Sequence, residues 1–127
     1  MKIYISGKIS GLDIDHAKAV FEHGEHNARR FFGKFVTSDI FTERANESGN
    51  KTKATFCNDY LIETINPMKK VSEGEGLTYD DYMREDIKLL MDCAGIWMIR
   101  GWKESKGAVI EHDLAKALHL AIGYEND

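Results

Sequence analysis

The hydrophobic pattern along the chain switches between short β-like runs and stretches with helical spacing. The run "KIYISG" at residues 2–7 is rich in β-branched and aromatic side chains and ends at a glycine, which predicts a strand followed by a turn. From residue 14 onward, apolar or small residues recur at helical spacing as far as Gly33, which predicts a helix over about 14–32. The chain therefore opens with a strand and a helix.

The rest of the chain repeats this order. Strands are predicted in "YLIETINP" (60–67), "AGIWMI" (94–99) and "HLAIGY" (119–124), and helices over 79–91 and 105–118. Thr78 and Asp81 have the spacing of a capping box ahead of the helix over 79–91. Because strands and helices alternate, the sequence predicts an α/β fold with a parallel sheet of four or five strands.

Two segments between these elements have no clear period. Residues 34–58 are polar and weakly periodic, so we predict an insertion loop or a small excursion at the edge of the domain. "KKVSEGEG" at 69–76 is predicted to be a loop. A chain of 127 residues is long enough to bury one core and too short for two, so we expect a single domain over 1–127.

Composition and charge exclude several classes of protein. The hydrophobic content of 43% and the single proline are typical of a folded globular domain. A net charge of -4 gives no positive field for a nucleic-acid polymer or an anionic membrane, and no apolar run is long enough for a signal sequence or a membrane span. Cys57 and Cys93 are isolated, without metal-ligand spacing. We therefore expect a cytoplasmic protein with no metal site.

Two carboxylates interrupt the apolar faces of two predicted helices. Glu111 falls on the side of the last helix that carries Ala108 and Ala115, and Asp86 lies within the apolar stripe of the helix over 79–91. A carboxylate turned toward a core is costly unless it is paired, hydrogen-bonded or facing a cleft, and burial raises its pKa toward values useful in proton transfer. The two acids are therefore candidates for a shared reactive site.

A structural interpretation of the same acids stays open. In that interpretation Asp86 pairs with Arg84 or Arg100, and Glu111 extends toward solvent beside His112. Topology favours the reactive interpretation, because ligands of open α/β sheets bind beyond the carboxyl ends of the strands, where the strand-to-helix loops gather.

Two of these loops offer groups for a sugar or a phosphate. "SGKISG" at 6–11 is neither a Walker loop nor a dinucleotide fingerprint; it is either a tight turn that needs its glycines or a wall with Ser6, Lys8 and Ser10 as donors. Ser105 and the free N–H groups at the start of the last helix are a candidate anion site, where the small Gly107 leaves space.

The two tryptophans differ in their candidate roles. Trp102 follows the third predicted strand and is a candidate for stacking on a base. Trp97 lies inside the apolar strand, a position typical of the core.

Four segments of the chain together resemble the nucleoside 2-deoxyribosyltransferase superfamily, and more closely its small phage- and prophage-type branch (DUF4406-like). The pattern YISGP(I/M)(T/S)G, NP, YMxxD and GWxxSxGAxxE reads here as "YISGKISG" (4–11), "NP" (66–67), "YMRED" (82–86) and "GWKESKGAVIE" (101–111). The match covers the chain except for the insertion near 34–58.

The resemblance implies a flavodoxin- or Rossmann-like three-layer domain that cleaves or transfers at the N-glycosidic bond of a nucleoside or nucleoside 5′-monophosphate, without a cofactor. Glu111 matches the nucleophile of characterised relatives. Asp86 matches the aspartate that transfers the proton of the departing base, and Tyr4 matches a tyrosine that forms a hydrogen bond with the nucleophile. Ser105 matches a phosphate-binding serine, and relatives often build their sites across subunits, so a homo-oligomer is expected. We expect the substrate to contact Ser6, Gly7, Lys8, Ser10, Gly11, Trp102, Ser105 and Gly107.

Two departures from the family pattern leave a second function open. Lys8 stands where the family has proline, and Ala94 stands where many relatives have an aspartate that we expect beside the crevice, with Asp92 as a possible substitute. A non-catalytic nucleotide-binding or sensing module, or a structural phage protein that keeps only the fold, is therefore the alternative.

Overall fold

The structure is a computed structural model that describes residues 1–9, 11–47, 62–70 and 78–125, with the side chains of 35–47 and of residue 70 outside the description. Its strands are β1 Lys2–Ser6, β2 Glu63–Ile65, β3 Gly95–Met98 and β4 Ala121–Tyr124. Its helices are α1 Ile14–Glu47, α2 Pro67–Lys70, α3 Tyr79–Met91 and α4 Lys106–Ala117, and a short 3-10 turn at Trp102–Glu104 precedes α4.

The four strands form one parallel sheet in the order β2-β1-β3-β4. Helix α1 packs against one face, and α3 and α4 cover the other, which gives a three-layer arrangement. The predicted flavodoxin- or Rossmann-like α/β fold with a parallel sheet is thereby confirmed. The chain changes direction across the sheet between β1 and β3, which is the switch point where such folds bind ligands.

The central strand β1 sends its side chains alternately to the two layers. Ile3 and Ile5 join the core under α1, whereas Tyr4 joins the core under α3 and α4. Because the side-chain period of a strand is two, Ser6 points to the same side as Tyr4. The strand thus presents two hydroxyl groups to the layer that contains α4.

Helix α1 is longer than its hydrophobic pattern predicts. It continues through Gly33 to Glu47, so the segment predicted as an insertion begins inside a helix, and the part of it beyond residue 47 lies outside the described residues. A glycine ends a helix by adopting a positive φ, and among the described glycines only Gly11 and Gly101 do so. None of the described helices, the 34-residue α1 included, combines the length and the apolar character that a membrane span requires.

The short helix α2 begins at the last residue of the predicted strand and extends into the start of the predicted loop. Asn66 caps it, since its side-chain oxygen Oδ1 accepts a hydrogen bond from the backbone N–H of Met68 at 3.0 Å. Pro67 occupies the first helical position, where its missing N–H costs nothing. The pair "NP" is therefore a helix start as well as the end of β2.

The capping box of α3 forms as predicted. The Thr78 side chain accepts from the Asp81 backbone N–H at 3.3 Å, and the Asp81 carboxylate accepts from the Thr78 N–H at 3.0 Å. The exposed carboxylate of Asp81 has a pKa lowered by these hydrogen bonds. Helix α3 spans the predicted 79–91.

Thr78→Ala tests how much this cap contributes. Loss of the hydroxyl leaves N–H groups of the first turn unbonded, so we expect the free energy of unfolding to fall by about 1 kcal/mol. Thr78→Ser keeps the hydroxyl and should remain close to the original chain. Urea unfolding followed by circular dichroism measures both, and equal stability of the alanine and serine variants would contradict the assignment.

Candidate active site

A cavity of about 700 Å³ opens at the carboxyl ends of β1 and β3, at the switch point of the sheet. Its wall is built by the loop after β1, the face of α3, the start of α4, and residues of α1 and α2. Of the predicted site residues, the wall includes Tyr4, Gly7, Lys8, Asp86, Ser105, Gly107 and Glu111. Pro67 of the "NP" motif also lines the wall, so the structure brings all four family-like motifs to one cavity.

Glu111 is the most confined acid of the cavity. Its side chain is buried, with the residue only 5% exposed, and the hydroxyl of Tyr4 donates to its Oε2. The hydroxyl of Ser6 donates to its Oε1 at 2.8 Å. Both carboxylate oxygens are thus held by β1, and the alternative in which Glu111 reaches out beside His112 is wrong.

Small residues on α4 allow this contact. Ala108 and Ala115, on either side of Glu111 along the helix face, are 1% and 0% exposed and pack into the core under α4. Their size lets the helix backbone approach the sheet closely. Leu118, which continues the same spacing, is largely exposed because it caps the end of the helix.

Burial dominates the electrostatics of Glu111. Burial raises its pKa to about 7, and the charge of Asp86 also raises it. The hydrogen bonds from Tyr4 and Ser6 lower the pKa but do not outweigh the effect of burial. Burial, together with the charge of Glu111, holds the pKa of Tyr4 well above its usual value. Tyr4 therefore stays protonated and serves as a hydrogen-bond donor.

Asp86 is the second acid of the cavity. It lies in the middle of α3, half-buried, and burial raises its pKa to about 6, with a further contribution from the charge of Glu85. No hydrogen bond and no cationic charge contributes to this pKa, so the predicted alternative of a structural ion pair with Arg84 or Arg100 is not found for Asp86 among the described residues. Its carboxylate is available to a ligand.

The stripe on α3 that contains Asp86 faces the cavity more than the core. Tyr79, Tyr82 and Met83 line the cavity wall, whereas Leu90, at the far end of the stripe, is fully buried. One helical face thus serves two purposes, and aromatic side chains surround the acid.

The two acids titrate as a pair. Burial raises the pKa of both acids, and the negative charge of Asp86 opposes ionisation of Glu111. The pair can therefore hold one shared proton near neutral pH.

Other predicted residues surround the mouth of the cavity. Ser105 caps α4, since its Oγ accepts from the Ala108 N–H at 3.2 Å. A Cβ at Gly107 would lie 3.0 Å from the Met83 sulfur and 3.3 Å from the Tyr79 hydroxyl, so glycine keeps space between α3 and α4. Lys8 lies 3.6 Å from Glu104 as an ion pair between the loop after β1 and the turn after β3.

Several predicted site residues lie elsewhere. Trp102 is not part of the cavity wall and stacks on His112, with ring centroids 4.3 Å apart. Gly11 adopts a φ of +81° in the turn after β1 and is also absent from the wall. Ser6 acts through its bond to Glu111, and Ser10 lies outside the described residues.

The expectation that position 94 lies beside the crevice is wrong. The backbone N–H of Ala94 bonds the carbonyl oxygen of Lys2 at 2.9 Å, which places it at the amino ends of the strands. Asp92 pairs with Lys2 at 2.8 Å on the exposed surface at the same edge, an arrangement that lowers the pKa of Asp92. The missing aspartate therefore does not alter the cavity.

Sequence reasoning missed part of the cavity wall. Ile14 and Phe21 of α1 and Met68 of α2 line it, although each fits a helical core pattern. The "NP" motif was a usable signal for Met68, because it directs the chain after β2 toward the switch point. Within the described part of the chain, no three His, Cys, Asp or Glu side chains lie close enough to hold a metal ion.

Comparison with known proteins gives one match. A family model described as "Domain of unknown function (DUF4406)" matches residues 1–124. No curated protein and no solved structure matches the chain.

Glu111→Gln tests the burial of this acid. The pKa of Glu111 is raised from 4.5 to about 7 in the folded protein, so between these pH values the native state binds more protons than the unfolded state. The contribution of Glu111 to stability therefore falls as the pH rises from 4.5 to about 7. We expect the neutral variant to gain about 2–3 kcal/mol of unfolding free energy relative to the original chain on going from pH 5 to pH 8.

Urea unfolding at the two pH values, followed by tryptophan fluorescence, measures this change. Glu22→Gln, the same substitution at an exposed position on α1, is the matched control and should show no such dependence. A difference between Glu111→Gln and the original chain that is constant with pH would contradict the raised pKa.

Proposed function

Since the chain belongs to the DUF4406 family, whose description states no activity, we propose its function from the cavity: cleavage of the N-glycosidic bond of a nucleoside or nucleoside 5′-monophosphate through a covalent glycosyl intermediate on Glu111. The predicted DUF4406 membership is thereby confirmed. The phage or prophage origin and the relationship to nucleoside 2-deoxyribosyltransferases are part of the proposal.

One observation carries the proposal. A buried glutamate with both oxygens bonded to hydroxyls shares a cavity with a second carboxyl that has no described partner. Retaining glycosyl transfer requires one carboxylate as nucleophile and a second group as acid and base. Tyr4 and Ser6 fix the direction of the Glu111 carboxylate and stabilise its charge, as a nucleophile requires.

The proposed reaction has two steps. An oxygen of Glu111 attacks the anomeric carbon, the carbon–nitrogen bond breaks with its electron pair moving to the base, and Asp86 donates a proton to that base. In the second step Asp86 removes a proton from water or from a second base, which attacks the anomeric carbon and releases Glu111. The enzyme regains its starting protonation, and neither step requires a metal or cofactor.

Substrate binding can fix the position of the shared proton. A ring nitrogen of the base that accepts a hydrogen bond from protonated Asp86 stabilises the form in which Glu111 is ionised. Tyr79 and Tyr82, on the same helix face, offer aromatic surfaces on which a base can stack. The substrate thereby favours the protonation state that the proposed reaction requires.

A second candidate function is a nucleotide-binding or sensing module without turnover. The observation that favours it is the burial of Glu111, which raises its pKa to about 7, because a Glu111 that keeps its proton is not a nucleophile. Such a module would bind the same ligands in the same cavity and release no base.

We also propose that the protein acts in the cytoplasm on this small molecule, as a homo-oligomer. The buried thiol of Cys93, whose pKa burial raises to about 11, suits a reducing compartment. Large apolar side chains exposed on α3 and α4 and at the end of α4, namely Met91, Ile110 and Leu118, support self-association.

Release of free base tests the activity. The purified protein is incubated with each common nucleoside, deoxynucleoside and 5′-monophosphate, and the base is separated chromatographically. We expect Glu111→Gln to reduce release at least 1000-fold and Asp86→Asn about 100-fold or more, because these groups form the covalent bond and transfer the proton. Tyr4→Phe should reduce it about 10-fold.

The exposed Asp113→Asn is the control and should retain full activity. Ligand binding without base release from any substrate would reject the enzyme in favour of the binding module. Release that survives Glu111→Gln would reject the covalent mechanism.

The pH dependence provides an independent test. The reactive pair carries one proton, so kcat/KM should follow a bell with apparent limits near 6 and near 7, set by the paired acids. Activity falls at lower pH because both acids are protonated, and at higher pH because both are ionised. Asp86→Asn should remove the fall in activity at higher pH, because the shared proton can no longer be lost from Asp86. A pH profile that this substitution leaves unchanged would contradict the role of Asp86 as acid and base.

A further inference from the structure

The charged side chains of the cavity wall differ in exposure. Glu111 is buried and Asp86 half-buried, whereas Lys106 is exposed and the side chains of Lys8 and Glu104 are 38% and 74% exposed. Lys8 belongs to the loop after β1, and Lys106 begins α4 directly after Ser105. The lysines therefore lie on the solvent side of the wall, and the proposed reacting acids are less accessible to water.

Lys8 and Glu104 connect the two loops that flank the switch point. Lys8 lies two residues beyond Ser6, which bonds Glu111, and Glu104 ends the turn after β3. The strands β1 and β3 pair directly, with Ser6 opposite Met98, so this ion pair crosses the crevice at its opening.

The contact between Lys8 and Glu104 is readily exchanged. The nitrogen and oxygen atoms are 3.6 Å apart, and the side chains are 38% and 74% exposed. Exposed ion pairs of this kind add little stability, because water screens the charges and two long side chains lose freedom. A phosphoryl group carries more negative charge and forms stronger, charge-assisted hydrogen bonds with a lysine.

The chemistry of a nucleotide places its phosphate at this opening. When the anomeric carbon faces Glu111, the phosphate on the 5′ carbon lies several bonds away, and the two acids repel it from the interior. It then lies near Lys8 and Lys106. Glu104, the present partner of Lys8, repels the same phosphate.

We infer that Lys8 and Glu104 set the charge preference of the site, Lys8 by binding the 5′-phosphate of a nucleotide and Glu104 by competing for Lys8 and opposing that charge. The preferred ligand class is the nucleoside 5′-monophosphate over the neutral nucleoside. Lys8 is the specificity residue, and Glu104 is a positioning residue that acts through it. The inference rests on the proposed function, because it takes the anomeric carbon to face Glu111.

The experiment measures binding, so that it does not depend on turnover. Dissociation constants are determined calorimetrically for the four common deoxynucleoside 5′-monophosphates and the four matching deoxynucleosides, in the Glu111→Gln background to prevent cleavage. An Asp86→Asn background serves if that variant fails to fold. The readout is the preference, the ratio of the nucleoside constant to the monophosphate constant, with and without Lys8→Gln and Glu104→Gln.

We expect Lys8→Gln to lower the preference about 10-fold or more and Glu104→Gln to raise it about 3-fold. Nucleoside affinity should change less than about 2-fold in either variant, since a neutral ligand lacks the phosphate. Lys103→Gln, a neighbouring lysine that lies over the Trp102 ring outside the cavity wall, is the matched control and should leave the preference unchanged.

The outcomes separate this inference from the proposed function. A preference that does not respond to Lys8→Gln and Glu104→Gln, or that responds equally to Lys103→Gln, overturns the inference even if the wild-type protein releases base. The expected shifts without base release support the charge selection and overturn the glycosidase. Failure of all eight ligands to bind overturns both.

Discussion

The structure depends on one constraint: the carboxylate of Glu111 is buried between α4 and the sheet, and a buried carboxylate must be satisfied. The hydroxyls of Tyr4 and Ser6 satisfy it, one at each oxygen. This requirement fixes which way β1 faces, how closely α4 approaches, and why Ala108 and Ala115 are small. The same contacts bring an acid to the floor of the cavity, so the packing of the core and the chemistry of the site have a common origin.

A second acid gives this arrangement its chemical character. Asp86 comes from a helix that contributes both to the core, through Leu90, and to the cavity, through Tyr82 and Met83. Burial raises the pKa of both acids toward neutrality, and each affects the other through charge. The pair can thus hold a shared proton near neutral pH, and the same cavity wall carries the cationic side chains of Lys8 and Lys106.

Much of this arrangement is encoded locally. Alternation of strands and helices predicts the α/β fold, the capping box at Thr78 predicts the start of α3, and the interruption of two apolar faces by acids identifies Glu111 and Asp86. The extent of α1 was not predictable in this way, because a glycine such as Gly33 ends a helix only when its backbone takes a positive φ, which composition does not reveal.

The sequence by itself determined the order of elements, the two acids, and the hydroxyls of β1, because these follow from periodicity and residue chemistry over a few neighbours. Only the tertiary structure decided which residues meet. It joined Ser6 to Glu111 across most of the chain, placed Trp102 against His112 instead of a ligand, and put Ala94 at the far edge of the sheet. The physical reason is that these contacts depend on strand order and register, which arise from packing the whole core at once and have no signature in a local window of sequence.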